Sequence, residues 1–197
     1  MSALKIPMFA TRLRVFDDFL DDPETYRRAA LALEYRTYEF EPATFHGIAI
    51  PTFGDVPNRD VVPGKIAARF PDAVPSLTFF RKSPEGQAEP HFIHTDIDMG
   101  DWSAILYLNP DPPTADGTCF WEHRATGSRE SAIPHERSEE GRTADAWRVW
   151  RRVSARFNRL VMFPATYFHS RAIFDNWGEG AEARLTQVTF GKGDILL

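Results

Sequence analysis

Cysteine is nearly missing from this chain: Cys119 stands alone among 197 residues. An intrachain disulfide is therefore excluded, a pattern that suits a reducing compartment. The thiol sits between apolar neighbours in GTCFWEH, where a single cysteine reads as a small buried hydrophobe. Long apolar runs are missing too, and no stretch approaches the ~18 residues of a membrane span. The opening segment, MSALKIPMFATRLRVFDDF, lacks the apolar core of a signal peptide, so a soluble cytoplasmic protein without a membrane partner is expected. Positive charge is short as well. The net charge is −5, whereas nucleic-acid binders present a basic surface, so nucleic acid is not an expected partner. The one basic concentration, RVWRRVSARFNR, contains Arg148, Arg151, Arg152, Arg156 and Arg159 and reads as a solvated helix face and its exit. No internal repeat or low-complexity tract is present.

What the chain does have is apolar and aromatic content. Hydrophobic residues make up 43%, with 16 Phe and 5 Trp, enough for one domain with a ring-rich core. In the front third, Asp22-Pro23-Glu24 is a helix start: an aspartate to cap, a proline suited to the first turn, and an acid at the positive end. The following residues put Tyr26, Ala29, Ala30 and Leu33 on one stripe. A second short helix is expected near 64–70. From about residue 76 the texture becomes β. LTFFRKS, HFIHTDID, SAILYLN, TCFWEH, NRLVMFP, FHSRAIF and RLTQVTF are short runs of strand formers, many of them separated by Pro, Gly or Asp. No helical pattern alternates with them, so the expected class is mostly β with supporting helices, in a sandwich or barrel. Residues 110–157 read as a polar insertion with a helix at TADAWRVWRRV. Such an insertion suits a lid or binding element, and with HGIAIPTFG it is expected to shape a pocket mouth. Trp147 and Trp150 would share one face of that helix and dock it on the body, with substrate stacking as the other reading.

Chemistry concentrates at His94-Thr95-Asp96. Charged groups are costly to bury without a partner. On a strand these two side chains would face the same way and offer two adjacent metal ligands. A third must come from elsewhere. Of the six histidines, His135 lies in a polar stretch, His123 suits a core edge, and His91 has the opposite parity to His94. His169, between two apolar runs, is the credible third. Two histidines and one carboxylate form the facial triad of non-haem iron oxygenases. Arg184 and Thr186 open the last strand on one face, and an arginine fork with a nearby hydroxyl suits a carboxylate.

These segments, HTD at 94–96, SAILYLN, GTCFW, FPATYFHS ending at His169, and RLT at 184–186, occur in the order that resembles the Fe(II)/2-oxoglutarate-dependent oxygenases, closest to the prolyl-4-hydroxylase-like branch. LRVFDDFL at 13–20 resembles the opening of that branch. The resemblance implies a double-stranded β-helix (jelly-roll, cupin-like) core over 76–197, supported by N-terminal helices within 1–75, as a single domain. It implies iron at His94, Asp96 and His169, and 2-oxoglutarate held by Arg184 and Thr186, with Tyr107 contributing. It also implies dioxygen as co-reactant and hydroxylation of an amino-acid, peptidyl or small-molecule substrate, with release of succinate and carbon dioxide. Two features depart from the pattern. The gap from His169 to Arg184 is 184 − 169 = 15 positions, longer than usual, which makes Arg171 a rival. Phe79 and Phe80 stand where a cosubstrate-binding tyrosine is often found. Two other classes stay open: a β-helix module that binds a metal or small acid without oxidising anything, and a different cupin-like metalloenzyme. The oligomeric state is not legible.

Overall fold

The computed structural model describes residues 12–40, 43–51, 60–87, 92–134, 139–173 and 175–195. In chain order they form β1 (Arg14–Phe16), α1 (Pro23–Leu31), β2 (Arg36–Phe40), β3 (Ala43–Ala49), α2 (Val61–Arg69), β4 (Val74–Ser83), β5 (Trp102–Tyr107), β6 (Gly117–His123), β7 (Trp147–Ser154), β8 (Leu160–Pro164), β9 (His169–Arg171) and β10 (Arg184–Lys192). A short 3-10 turn, Glu140–Arg142, precedes β7.

Helix α1 begins where its sequence dictates. Asp22 caps it by accepting from the Thr25 amide at 3.1 Å, and Pro23 takes the first helical position. Tyr26 and Ala30 of the expected stripe are buried, and Ala29 and Leu33 pack beside them. Helix α2 buries Val62 and Ile66 one turn apart.

The strands build two antiparallel sheets. The larger has the order β1-β8-β5-β10-β4-β3-β2 and the smaller β7-β6-β9. Because side chains alternate across a strand, the long β10 separates two environments. Leu185 faces α1 and α2 with Phe80, Leu106, Leu160 and Met162. On the opposite face, Thr186 lies across from Tyr107 and Val188 across from Ile105. That face meets the smaller sheet through Tyr107, Val161 and Phe163 against Phe120 and Val153. Each large side chain buried in these layers contributes on the order of 1.5–3 kcal/mol. Packing is closest where β10 crosses Trp102: a Cβ at Gly191 would fall 2.0 Å from the Trp102 ring, so this position accepts only glycine.

Three expectations need correction. The helix expected at TADAWRVWRRV is a strand, β7, paired with β6 from Gly117↔Ser154 to His123↔Trp147. Trp147 and Trp150 therefore do not share a face. Trp147 is buried 4.7 Å from Phe168 on the outer side of the small sheet, while Trp150 packs against Phe120 and Tyr167 on the inner side. Arg148, Arg151 and Arg152 lie on an edge strand rather than a helix face, and Arg156 and Arg159 follow it. Arg148 pairs with Glu122, Arg152 donates to the Ala115 carbonyl, and Arg156 and Arg159 clasp Asp17. Second, residues 117–123 and 147–154, inside the stretch read as an insertion, are two of the three strands of the smaller sheet. Third, the front third carries three strands as well as two helices among its described residues.

Asn158 ties the front of the chain to the turn before β8. Its backbone is left-handed, with φ 61°. Its amide accepts from the Leu20 N–H at 2.8 Å and donates to the Leu20 carbonyl at 2.9 Å. Asn158→Ala loses both bonds and adds backbone strain, an expected cost of about 2–4 kcal/mol. Asn158→Gly relieves the strain and should cost about 1 kcal/mol less. Urea unfolding of the two variants checks this; equal losses would remove the strain from the account.

Candidate metal centre

The smaller sheet gains a partial fourth strand at one residue. His94 and His169 form a single antiparallel bridge, His94 N–H to His169 O at 3.0 Å and His169 N–H to His94 O at 2.9 Å. HFIHTDID is thus not a regular strand among its described residues, 92–98. Two residues on, the Asp96 amide donates to the Ala165 carbonyl at the end of β8. The segment crosses from the smaller sheet to the larger, and that crossing, not strand parity, brings Asp96 beside both imidazoles.

His94 Nε2 lies 3.5 Å from Asp96 Oδ1, and His169 Nε2 lies 3.2 Å from Asp96 Oδ2. The donor atoms of the three side chains all fall within 4.8 Å of one another. Adjacent ligands at roughly 2.1 Å from one octahedral ion would be about 3.0 Å apart, so the set fits a metal with little movement. The ring tautomers agree. His94 Nδ1 sits 3.1 Å from the Phe92 carbonyl and His169 Nδ1 2.9 Å from the Tyr167 carbonyl. A carbonyl only accepts, so each Nδ1 carries a proton and Nε2 is the nitrogen that can turn to a ligand, once any proton it shares with Asp96 is lost. Ser103, hidden within the apolar strand SAILYLN, donates to Asp96 Oδ2 at 2.7 Å and orients the carboxylate. Phe163 covers His169 at 4.6 Å between ring centres.

The charges in this cluster hold one another. Burial alone would raise the pKa of Asp96, but His169, His94 and the Ser103 hydroxyl outweigh it and hold the carboxyl well below its usual range. Burial would lower the pKa of His169, and the Asp96 carboxylate overcomes it to leave a net rise. His94 is the open side of the site, with 36% of its side chain exposed against 5% for His169.

Above the triad, the inner face of the larger sheet carries the expected cosubstrate residues. Thr186 lies directly across from Tyr107, and Arg184 is one step further along the same face of β10. All three are buried. The Tyr107 hydroxyl meets Thr118 Oγ1 at 2.6 Å, and burial pushes its pKa up to about 12, so it remains a neutral hydrogen-bonding group. Arg184 shows what sequence reasoning missed. Its Nε donates to both carboxylate oxygens of Asp116, at 3.2 and 3.0 Å. Asp116 precedes Gly117, and in sequence the pair reads only as a turn. Arg171, the rival, donates to the Asn176 side chain and lies across from Thr118.

The other histidines lie elsewhere. His123 is buried and pairs with Glu140 at 2.8 Å, and His46 meets Thr37 Oγ1 at 3.0 Å. His91, His135 and residues 52–54 of HGIAIPTFG lie outside the described residues. Cys119 is buried, as expected, and burial raises its thiol pKa. Among the described residues, no helix is long and apolar enough to cross a membrane.

The same arrangement of sheets occurs in solved structures. A prolyl hydroxylase from Trichoplax adhaerens, in complex with a hypoxia inducible factor oxygen degradation domain peptide fragment, superposes with TM-score 0.60 at 11% identity over 94% of this chain and 84% of that one. HygX from Streptomyces hygroscopicus with iron bound gives TM-score 0.58 at 12% identity, over 91% and 81%. SnoK, a non-heme alpha ketoglutarate dependent carbocyclase from nogalamycin biosynthesis, gives 0.57 at 13%, over 92% and 80%. The fold is the double-stranded β-helix that these structures share. No curated protein sequence matches. The chain belongs to DUF6445, a family of unknown function whose model covers residues 81–190.

A divalent ion should raise the melting temperature of the wild-type protein by several degrees, since it binds only the folded chain. Anaerobic Fe(II), or Mn(II) in air, checks this by differential scanning calorimetry, and Asp96→Ala should abolish the shift. Metal must displace the proton that Asp96 helps His169 keep. Affinity should therefore fall as pH drops through the raised His169 pKa and recover above it.

Proposed function

We propose that this chain is a single-domain Fe(II)- and 2-oxoglutarate-dependent dioxygenase that hydroxylates an amino-acid, peptidyl or small-molecule substrate. The observation that carries the reading is the convergence of His94, Asp96 and His169 on one point, two imidazoles and one carboxylate on the face of a double-stranded β-helix. In this reading the three side chains are the iron ligands, and Arg184, Thr186 and Tyr107 receive the far carboxylate of the cosubstrate. Bound together, iron, 2-oxoglutarate and dioxygen supply oxidative decarboxylation to succinate and carbon dioxide, coupled to oxygenation of the substrate.

The chain's own residues define the rest. Ser103 and the two backbone carbonyls hold the ligand atoms in place before anything binds. Phe163 walls the buried side of His169 away from water. The exposed side of His94 leaves approach for a substrate. HygX has been seen with hygromycin B, and the prolyl hydroxylase with a peptide fragment. Both a small molecule and a peptide side chain are therefore reasonable partners, and a cytoplasmic setting supplies the cosubstrate and keeps iron reduced.

One observation favours the rival, a module that binds metal or a small acid without turnover: Arg184 already holds a carboxylate, that of Asp116. Anaerobic addition of Fe(II) and then 2-oxoglutarate separates the readings. The dioxygenase should show the weak visible metal-to-ligand charge-transfer band, absent in Asp96→Ala and weakened in Arg184→Ala, and on exposure to air should form succinate. Iron binding without the band, or the band without succinate, would overturn the proposal.

A further inference from the structure

We propose that Asp116 is a positioning residue of the cosubstrate pocket, acting through Arg184. The inference rests on the reading of the site as a 2-oxoglutarate pocket. Asp116 is 1% exposed and Arg184 8%, so this is a desolvated pair in which geometry counts. Asp116 is itself held by two further donors, the Gly117 amide at 2.7 Å and the Trp177 indole N–H at 3.2 Å. The bracket closes on itself, because the Arg184 amide donates to the Trp177 carbonyl at 3.1 Å. A carboxylate anchored by two donors of its own resists following a moving guanidinium. It fixes the plane of one that binds it.

The contact is also sided. Asp116 engages Nε, the near end of the guanidinium. A guanidinium grips a carboxylate either side-on, through Nε and one terminal nitrogen, or end-on, through both terminal nitrogens. Asp116 holds Nε and so fixes the direction from which the rest of the guanidinium meets a dicarboxylate. Tyr107, across from Thr186 on the neighbouring strand and bonded to Thr118, lies on the same face and completes the cradle. Asp116 thereby trades part of the arginine's charge for a single orientation, and the pocket should favour a diacid of one length over shorter and longer ones.

The test uses the full chain, loaded with Fe(II) without oxygen and titrated with 2-oxoglutarate, reading the charge-transfer band. Asp116→Asn keeps the shape and an acceptor but removes the charge. It should raise the Kd for 2-oxoglutarate about tenfold, the scale of one charge-assisted contact, and leave the Kd for Fe(II) within twofold. In an Arg184→Gln background the same change should have no further effect, because Asp116 acts only through that arginine. An unchanged or tighter Kd for 2-oxoglutarate in Asp116→Asn overturns the positioning role. So does a loss that persists in the Arg184→Gln background, or one matched by weaker iron binding, since either marks a merely structural residue. Wild-type protein that binds iron but shows no band fails earlier, and overturns the cosubstrate reading itself together with this inference.

Discussion

The reciprocal backbone pair between His94 and His169 is the contact on which the rest of the site depends. It is one bridge, not a ladder, yet it joins the chain entering the site to the last strand of the smaller sheet. Asp96 then reaches the larger sheet through the Ala165 carbonyl. Two residues thus span the gap between the layers. A candidate ligand set built this way inherits the rigidity of both sheets, as a metal site requires of its first contacts.

The space between the layers holds charges that would be costly alone. Each is compensated by a neighbour rather than by water. Asp96 sits among two imidazoles and a hydroxyl, and Arg184 sits on Asp116. Around these polar groups the walls are aromatic: Phe120 and Phe163 meet edge to face at 5.0 Å, with Trp150 and Tyr167 beyond. Dry walls strengthen each electrostatic contact inside them. The result is a set of polar groups whose positions their neighbours fix.

Much of this was legible in the sequence, and the errors have physical causes. The core strands announced themselves because β-branched and aromatic residues cluster between turn formers, and β4, β5, β6, β8 and β10 fall where expected. The three candidate ligands converge in the structure, but the regular strand expected through His94 and Asp96 is a single bridge. WRVWRRV misled because tryptophans three apart and many arginines suit a helix, while its pairing to β6 is a tertiary matter that no local pattern reveals. Asp116 was passed over because Asp-Gly is a strong turn signal. Only the fold places that turn beside Arg184, 68 positions away. Ser103 was masked by its apolar neighbours for the same reason.

The most direct test is anomalous diffraction from anaerobic crystals soaked with Mn(II) and 2-oxoglutarate. The account predicts one strong metal peak within bonding distance of His94 Nε2, His169 Nε2 and an Asp96 oxygen, with the far carboxylate of the diacid on Arg184. A metal peak elsewhere, or a diacid carboxylate seated on Arg171 instead, would contradict it.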